Sequence, residues 1–270
     1  MNAELLSLWS ALGCYVVAGS IAIAAAIFGK RPERAVLGLL GSGLALHAVS
    51  LGLRWIRLGH GPFVTMYEIL SSNIWSLLLV FTLAYWRLRP VRPTAAFVMP
   101  LMFVMMGWLL MTHPGESPLP PTYKTIWLYI HVGLGKVFLG AVLVAVGMSG
   151  VVLTRAAGMG AARWAKLPAD DRLDDLAFRF MALGFVFQTL MLIAGAIWAQ
   201  DAWGRYWAWD PLETWSMITW LMLAAAIHMR LAFPVRPLIG AMLIVSVFML
   251  AFLTFFGVPF ITMSAHKGAI

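Results

Sequence analysis

WAQDAWGRYWAWDPLETW, residues Trp198–Trp215, lies between two long apolar runs. Six of its 18 residues are Trp or Tyr, and it holds five of the chain's 13 Trp. Each flanking run has the length and composition of a membrane-crossing helix. The stretch is therefore expected to be a loop that joins two such helices, with Gly204 and Pro211 as its breaks. Tryptophan at a membrane interface is ordinary, because amphipathic rings settle there as an aromatic belt. A belt does not account for five Trp interleaved with Gly, Asp, Pro and Glu. Flat rings fixed in a stiff loop suit a flat, apolar ligand.

The rest of the chain agrees with a membrane setting. Of 270 residues, 62% are hydrophobic and only 11% charged, against about 45–50% and about 25% in soluble domains. One integrated bundle spanning residues 1–270 is expected, all α-helical and polytopic. Apolar runs place eight spans, near Leu5–Phe28, Ala35–Ile56, Thr65–Trp86, Thr94–Met111, Thr125–Thr154, Leu176–Ala199, Trp215–Phe233 and Leu238–Phe256. The linker Arg155–Asp175 is the most hydrophilic segment, and no internal repeat is evident. The single cysteine, Cys14, sits in the first apolar run. One cysteine excludes an internal disulfide and a Cys-x-x-Cys-His attachment site, so the chain is not itself a c-type cytochrome. The N-terminus lacks the basic start of a signal peptide, and the first run is read as a retained span.

The net charge of +8 reflects basic loops facing the cytoplasm, and no nucleic-acid partner is expected. Loops and flanks after spans one, three, five and seven carry 13 Lys and Arg, and those after two, four and six carry 4. Both termini and the aromatic loop are thus expected outside, on the periplasmic side of a bacterial inner membrane.

Three outward features are then candidates for one site. His131 stands near the outer end of span five, and His266 follows span eight. The third feature is the aromatic loop. Two neutral imidazoles on opposite faces of an iron porphyrin make a six-coordinate haem, and Trp203, Trp207 and Trp209 would stack on the macrocycle. Arg205 and Lys136 suit the propionates. Asp210 and Glu213 carry the same charge as propionates and suit the orientation of the loop or of a histidine ring. Two more histidines fall within spans. His47 lies about 18 Å from the inner end of span two and His228 about 20 Å in from the outer edge of span seven. Intramembrane ionisable residues face an interior or a cavity. Either histidine is a candidate ligand for a second haem, and a hydrogen-bonded buried side chain is the alternative for each. Glu68 with Arg54 and Arg57 reads as a local ion pair. The 17 Met read as packing residues.

Trp203-Gly204-x-x-Trp207-x-Trp209-Asp210, with Pro211, Glu213 and Trp215, resembles the tryptophan-rich WWD signature of haem-handling cytochrome c biogenesis proteins, the CcsA/ResC, CcmC and CcmF group. Other segments resemble the CcsA/ResC branch. They are Met66-Tyr67-Glu68, Ile130-His131-Val132, His228 after Trp220-Leu221, and Gly257-Val258 with His266. Thr65 stands where Asn is common in that branch, and the tail reads Gly-Val-Pro-Phe and Ala-His-Lys where Asn and His-Ser are usual. The resemblance covers most of the chain.

The resemblance implies a cytochrome c synthase subunit of the System II type. Such a protein takes haem b as a transported substrate and presents it outside for thioether attachment to apocytochrome c. It implies His131, His266 and His228 as iron ligands, membrane lipid as the surroundings, and a separate CcsB/ResB-type membrane partner. No residue is then needed as nucleophile or general base, and whether this chain itself ligates haem stays open. The alternatives are a haem chaperone, exporter or sensor without ligation activity, and a b-type electron-transfer subunit using His47 and His228. A solute transporter is a weaker alternative, since the chain lacks evident repeats and charged pairs at mid-membrane.

Overall fold

A computed structural model describes residues 3–159 and 167–261. His266 and Lys267 lie outside the described residues. Among the described residues, eight helical segments are long and apolar enough to cross a membrane, the fourth running Arg89–Met111 and the eighth Pro237–Gly257 with their adjoining turns. Their α-helices are α1 (Ala3–Phe28), α2 (Glu33–Leu58), α3 (Met66–Arg87), α4 (Ala95–Met111), α5 (Ile126–Ala156), α6 (Asp170–Trp203), α7 (Pro211–Ala232) and α8 (Pro237–Phe252). The chain is a polytopic, all-helical membrane protein. A long apolar segment in hydrocarbon must satisfy its backbone internally, which leaves the helix as the available local structure.

The ends of α6 and α8 differ from the sequence expectation. Helix α6 starts at Asp170 rather than near Leu176 and runs on to Trp203. Its first turn carries Asp170 and Asp171, where negative charge meets the positive end of the helix dipole. Helix α8 gives way to a π-turn over Leu253–Gly257, followed by the short helix Val258–Ile261.

The chain forms two compact units, Met1–Pro118 with Thr154–Ala169, and Leu119–Leu153 with Asp170–Ile270. In the first, α1 packs on α2 and α4, and α3 packs on α2 and α4, closing a four-helix bundle. Its core includes Tyr15, Leu40, Leu70, Ile74, Leu78, Phe81, Met99 and Met102. Glycine permits the close approaches. The Tyr15 ring lies where a side chain on Gly43 would project, and Phe103 does the same at Gly19. Without a hydrophobic force between helices in lipid, small residues of this kind let backbones approach and pack.

Charge pins one end of this bundle. The Arg54 guanidinium is 2% exposed. It donates to Glu4 Oε1 at 3.0 Å, Glu68 Oε1 at 2.9 Å and the Gly115 carbonyl at 2.5 Å. Arg57 adds a bond to Glu4 Oε2 at 2.8 Å and a bond to Glu116. Arg54 and Glu68 thus pair, and Glu4 and Glu116 join from distant parts of the chain. Glu68 also closes a capping box at the start of α3. Its carboxylate accepts from Val64 N at 2.9 Å and Thr65 N at 3.3 Å, and Thr65 Oγ1 accepts from Glu68 N.

In the second unit, α6, α7 and α8 pack on one another. Arg230 of α7 reaches Asp174 of α6 at 2.8 Å. Gly240 of α8 makes room there, since a Cβ on it would collide with the Asp174 carboxylate. Gly184 of α6 lies against Phe138 and Val142 of α5.

Removing one member of a buried ion cluster strands the others without compensation, which costs about 3–5 kcal/mol. Arg54→Met is expected to lower the thermal unfolding temperature of the detergent-purified chain by that equivalent. An Arg54→Met chain as stable as wild type contradicts this account of the first unit.

Candidate functional site

The aromatic loop is shorter than the sequence suggests. Trp198, Ala199, Gln200, Asp201, Ala202 and Trp203 continue α6, and only residues 204–210 are non-helical. Gly204 ends the helix. It takes a φ of 75° and its N–H returns to the Gln200 carbonyl at 2.9 Å, the left-handed stop that glycine adopts without a Cβ penalty. Pro211 opens α7 from its first turn, where a missing N–H costs nothing.

The return into α7 is held by a second capping box. Asp210 Oδ1 accepts from Glu213 N at 2.9 Å. The Glu213 carboxylate accepts from Asp210 N at 3.4 Å and Ala208 N at 2.7 Å. Both acids therefore orient the loop. Between the Ala208 and Asp210 N–H groups that Glu213 holds sits Trp209 with a φ of 58°, the only described residue other than glycine at positive φ. Such a conformation costs about 1–3 kcal/mol and persists where its surroundings over-determine it. Here it holds a large ring outward: Trp209 is 67% exposed and Tyr206 61%. Arg205 is exposed beside them. Trp207 packs edge-on to Trp209, centroids 5.9 Å apart. Trp207 Nε1 is buried and has no acceptor among the described residues.

Trp198 links His131 to Trp203, the last residue of α6 before this loop. Its side chain is buried, and its Nε1 donates to the Thr122 carbonyl at 2.9 Å. Its ring meets Trp203 at 5.2 Å, Tyr123 at 5.5 Å and His131 at 6.0 Å. Burial pushes the Tyr123 phenol up to about 12, so that ring packs uncharged through the physiological range. A bond from Thr125 Oγ1 to Asp201 Oδ2 at 3.4 Å adds a further tie. His131 is half-buried on α5, with Nδ1 2.8 Å from the Met191 carbonyl of α6. A carbonyl accepts only, so Nδ1 carries the proton, and a neutral ring then bears its lone pair on Nε2.

The structure therefore gathers His131, Trp203, Trp207, Trp209, Arg205 and Asp210 within the second unit. His228 lies on α7 of the same unit, exposed along the apolar helix. His47 belongs to the first unit and is fully buried. Its Nε2 is 2.9 Å from Ser71 Oγ and its Nδ1 is 3.5 Å from the Tyr15 hydroxyl. Lys136 is half-buried on α5. His60, buried in the first unit, faces the carbonyls of Gly61 and Ser117 at 2.9 and 3.2 Å.

Sequence reasoning did not find Trp198 as the link, the Met191 carbonyl as the partner of His131, or the part played by Thr122 and Tyr123. The position of Trp198 five residues before Trp203 was the available signal. Nothing in the sequence marks a particular backbone carbonyl.

Comparison with known proteins shows the family and the fold. Residues 36–266 match the family model described as Cytochrome C assembly protein. A protein of Synechococcus elongatus called Cytochrome c biogenesis protein CcsA is 31% identical, over 74% of this chain and 76% of that one. The protein of the same name from Gloeobacter violaceus is 29% identical over 96% of this chain and 94% of its own length. Among solved structures, Cytochrome c Heme Lyase CcmF shares the fold, with a TM-score of 0.71 over 99% of this chain at 19% identity. This chain spans 48% of the length of that CcmF chain. A polytopic bundle with this sequence likeness over nearly its whole length belongs to the Cytochrome C assembly protein family, as a CcsA-type cytochrome c biogenesis protein.

Proposed function

We propose that this chain binds haem b as a transported substrate and presents it on the periplasmic side of a bacterial inner membrane. There it would serve as the haem-presenting subunit of a System II cytochrome c synthase, acting with a CcsB/ResB-type membrane partner on apocytochrome c. The observation that carries the reading is the fixed His131 ring, joined through Trp198 to Trp203 at the helix end from which the loop bearing Trp209 departs. Haem brings the iron and the vinyl groups to this chemistry. The chain's own residues hold, orient and shield.

The residues present fit such a group. His131 has Nδ1 against the Met191 carbonyl, so a neutral ring would offer Nε2 to the iron, and His266 would be the second ligand in this reading. Trp203, Trp207 and Trp209 would line the haem, with Trp207 and Trp209 edge-on to each other, so that one of those two rings can stack on the macrocycle and the other meets its edge. The buried Trp207 Nε1 is a donor suited to a ligand acceptor, since buried N–H groups ordinarily find one. Arg205 is the propionate partner. His228 faces the apolar surroundings and is assigned as a ligand to haem within the membrane. His47 is assigned to packing, because both ring nitrogens face hydrogen-bonding groups.

Three outcomes follow. His131→Ala or His266→Ala, at normal expression, abolishes holocytochrome c formation in cells. Wild-type maturation by both overturns the reading, and haem binding with no effect of chain deletion on maturation points to a chaperone, exporter or sensor. Glu213→Ala removes the carboxylate that accepts from the Ala208 and Asp210 N–H groups and is expected to weaken haem retention by about 10-fold, a cost near 1.4 kcal/mol, measured by pyridine haemochrome on the purified chain. Retention equal to wild type removes the loop from the site. A Tyr206→Cys chain that also carries Cys14→Ala is expected to react with an impermeant maleimide in intact spheroplasts. Labelling only after lysis reverses the orientation.

A further inference from the structure

Two glycines and two large side chains interlock where α5 meets α6. His131 and Gly135 are four residues apart on α5, and Met191 and Gly195 are four apart on α6, so each pair shares one face of its helix. The Met191 thioether lies in the space beside Gly135, its Sδ 3.0 Å from where a Cβ would stand. The His131 ring lies in the space beside Gly195. A Cβ there would fall 2.7 Å from Nδ1 and 2.8 Å from Cε1, closer than carbon and ring atoms can pack. Gly195 sits one turn after the carbonyl that accepts the His131 proton. The missing side chain is what lets the ring reach it.

We infer that Gly195 is a positioning residue. By keeping α6 bare at this point, it lets the Met191 carbonyl hold His131 as the Nδ1-protonated tautomer, with Nε2 presented as the ligating atom. The inference rests on His131 being a haem ligand and adds what sets its tautomer and angle. A ligating histidine is ordinarily held through its other nitrogen, and losing that partner typically costs 10–100-fold in affinity. The partner here is backbone, so mutation cannot delete it. Only the neighbour that admits the ring can be changed. A methyl group at Gly195 forces the ring to turn away or the helices to part, and either breaks the 2.8 Å bond.

The test compares Gly195→Ala with wild type, His131→Ala and Gly133→Ala. Gly133 is on α5 near His131, with open space beside it. Each chain is purified with co-expressed partner, and its haem is titrated and its spin state read by absorption. The expected result is wild-type behaviour for Gly133→Ala and a loss of haem affinity of about 10–100-fold for Gly195→Ala, with low-spin haem converting toward the high-spin form of His131→Ala. Loss in His131→Ala with a wild-type spectrum for Gly195→Ala overturns the inference and leaves the ligand reading standing. Low-spin haem in His131→Ala overturns the ligand reading. The positioning claim is then decided by nitrogen NMR of the haem-free, histidine-labelled wild-type chain, with His131→Gln to identify the signal. A His131 ring protonated on Nδ1 supports the inference. Protonation on Nε2 overturns it, and this readout holds even if Gly195→Ala does not fold.

Discussion

A polar group withdrawn from water must meet its partner inside the chain, because an unmet one costs several kcal/mol in hydrocarbon. That constraint sets where the carboxylates and histidines of this protein sit. Arg54 is buried only because Glu4, Glu68 and the Gly115 carbonyl surround it. Glu213 is half-buried because two loop N–H groups point at it. His131 is fixed because its Nδ1–H finds a carbonyl one helix away. In each case the bond that satisfies the group also sets its direction.

Both units use the same device at a helix start. In Thr65-x-x-Glu68 and Asp210-x-x-Glu213 the glutamate closes a capping box and reaches back to a further loop N–H, of Val64 in one and Ala208 in the other. A surface capping box is worth about 1 kcal/mol. Its value here is geometric, since it fixes the chain entering the helix. In the second unit that chain is the Trp-rich loop, and the strain at Trp209 is held in place by these contacts. The loop can keep a large ring exposed without collapsing onto the helices. Such preorganisation suits a flat ligand that must be held at a set angle.

The eight spans were legible because long apolar runs have one outcome in a membrane. The Arg54–Glu68 pair was legible because both residues flank one short loop. Glu4 and Glu116 were not, since they approach from far along the chain. The loop's boundaries were misplaced because Trp198–Trp203 contains nothing that forbids a helix, and the stop depends on the backbone at Gly204. His131 was found as a candidate through its place near the end of a span. Its tautomer was hidden, because it is set by a backbone carbonyl and by the missing side chain of Gly195, and no residue pattern encodes either.

The most direct test of the central claim is low-temperature EPR of the oxidised, haem-loaded chain purified with its membrane partner. The account predicts a low-spin signal of bis-imidazole type that His131→Ala converts to high spin. A low-spin signal unchanged by that substitution would contradict it, and would place the haem away from the Trp-rich loop.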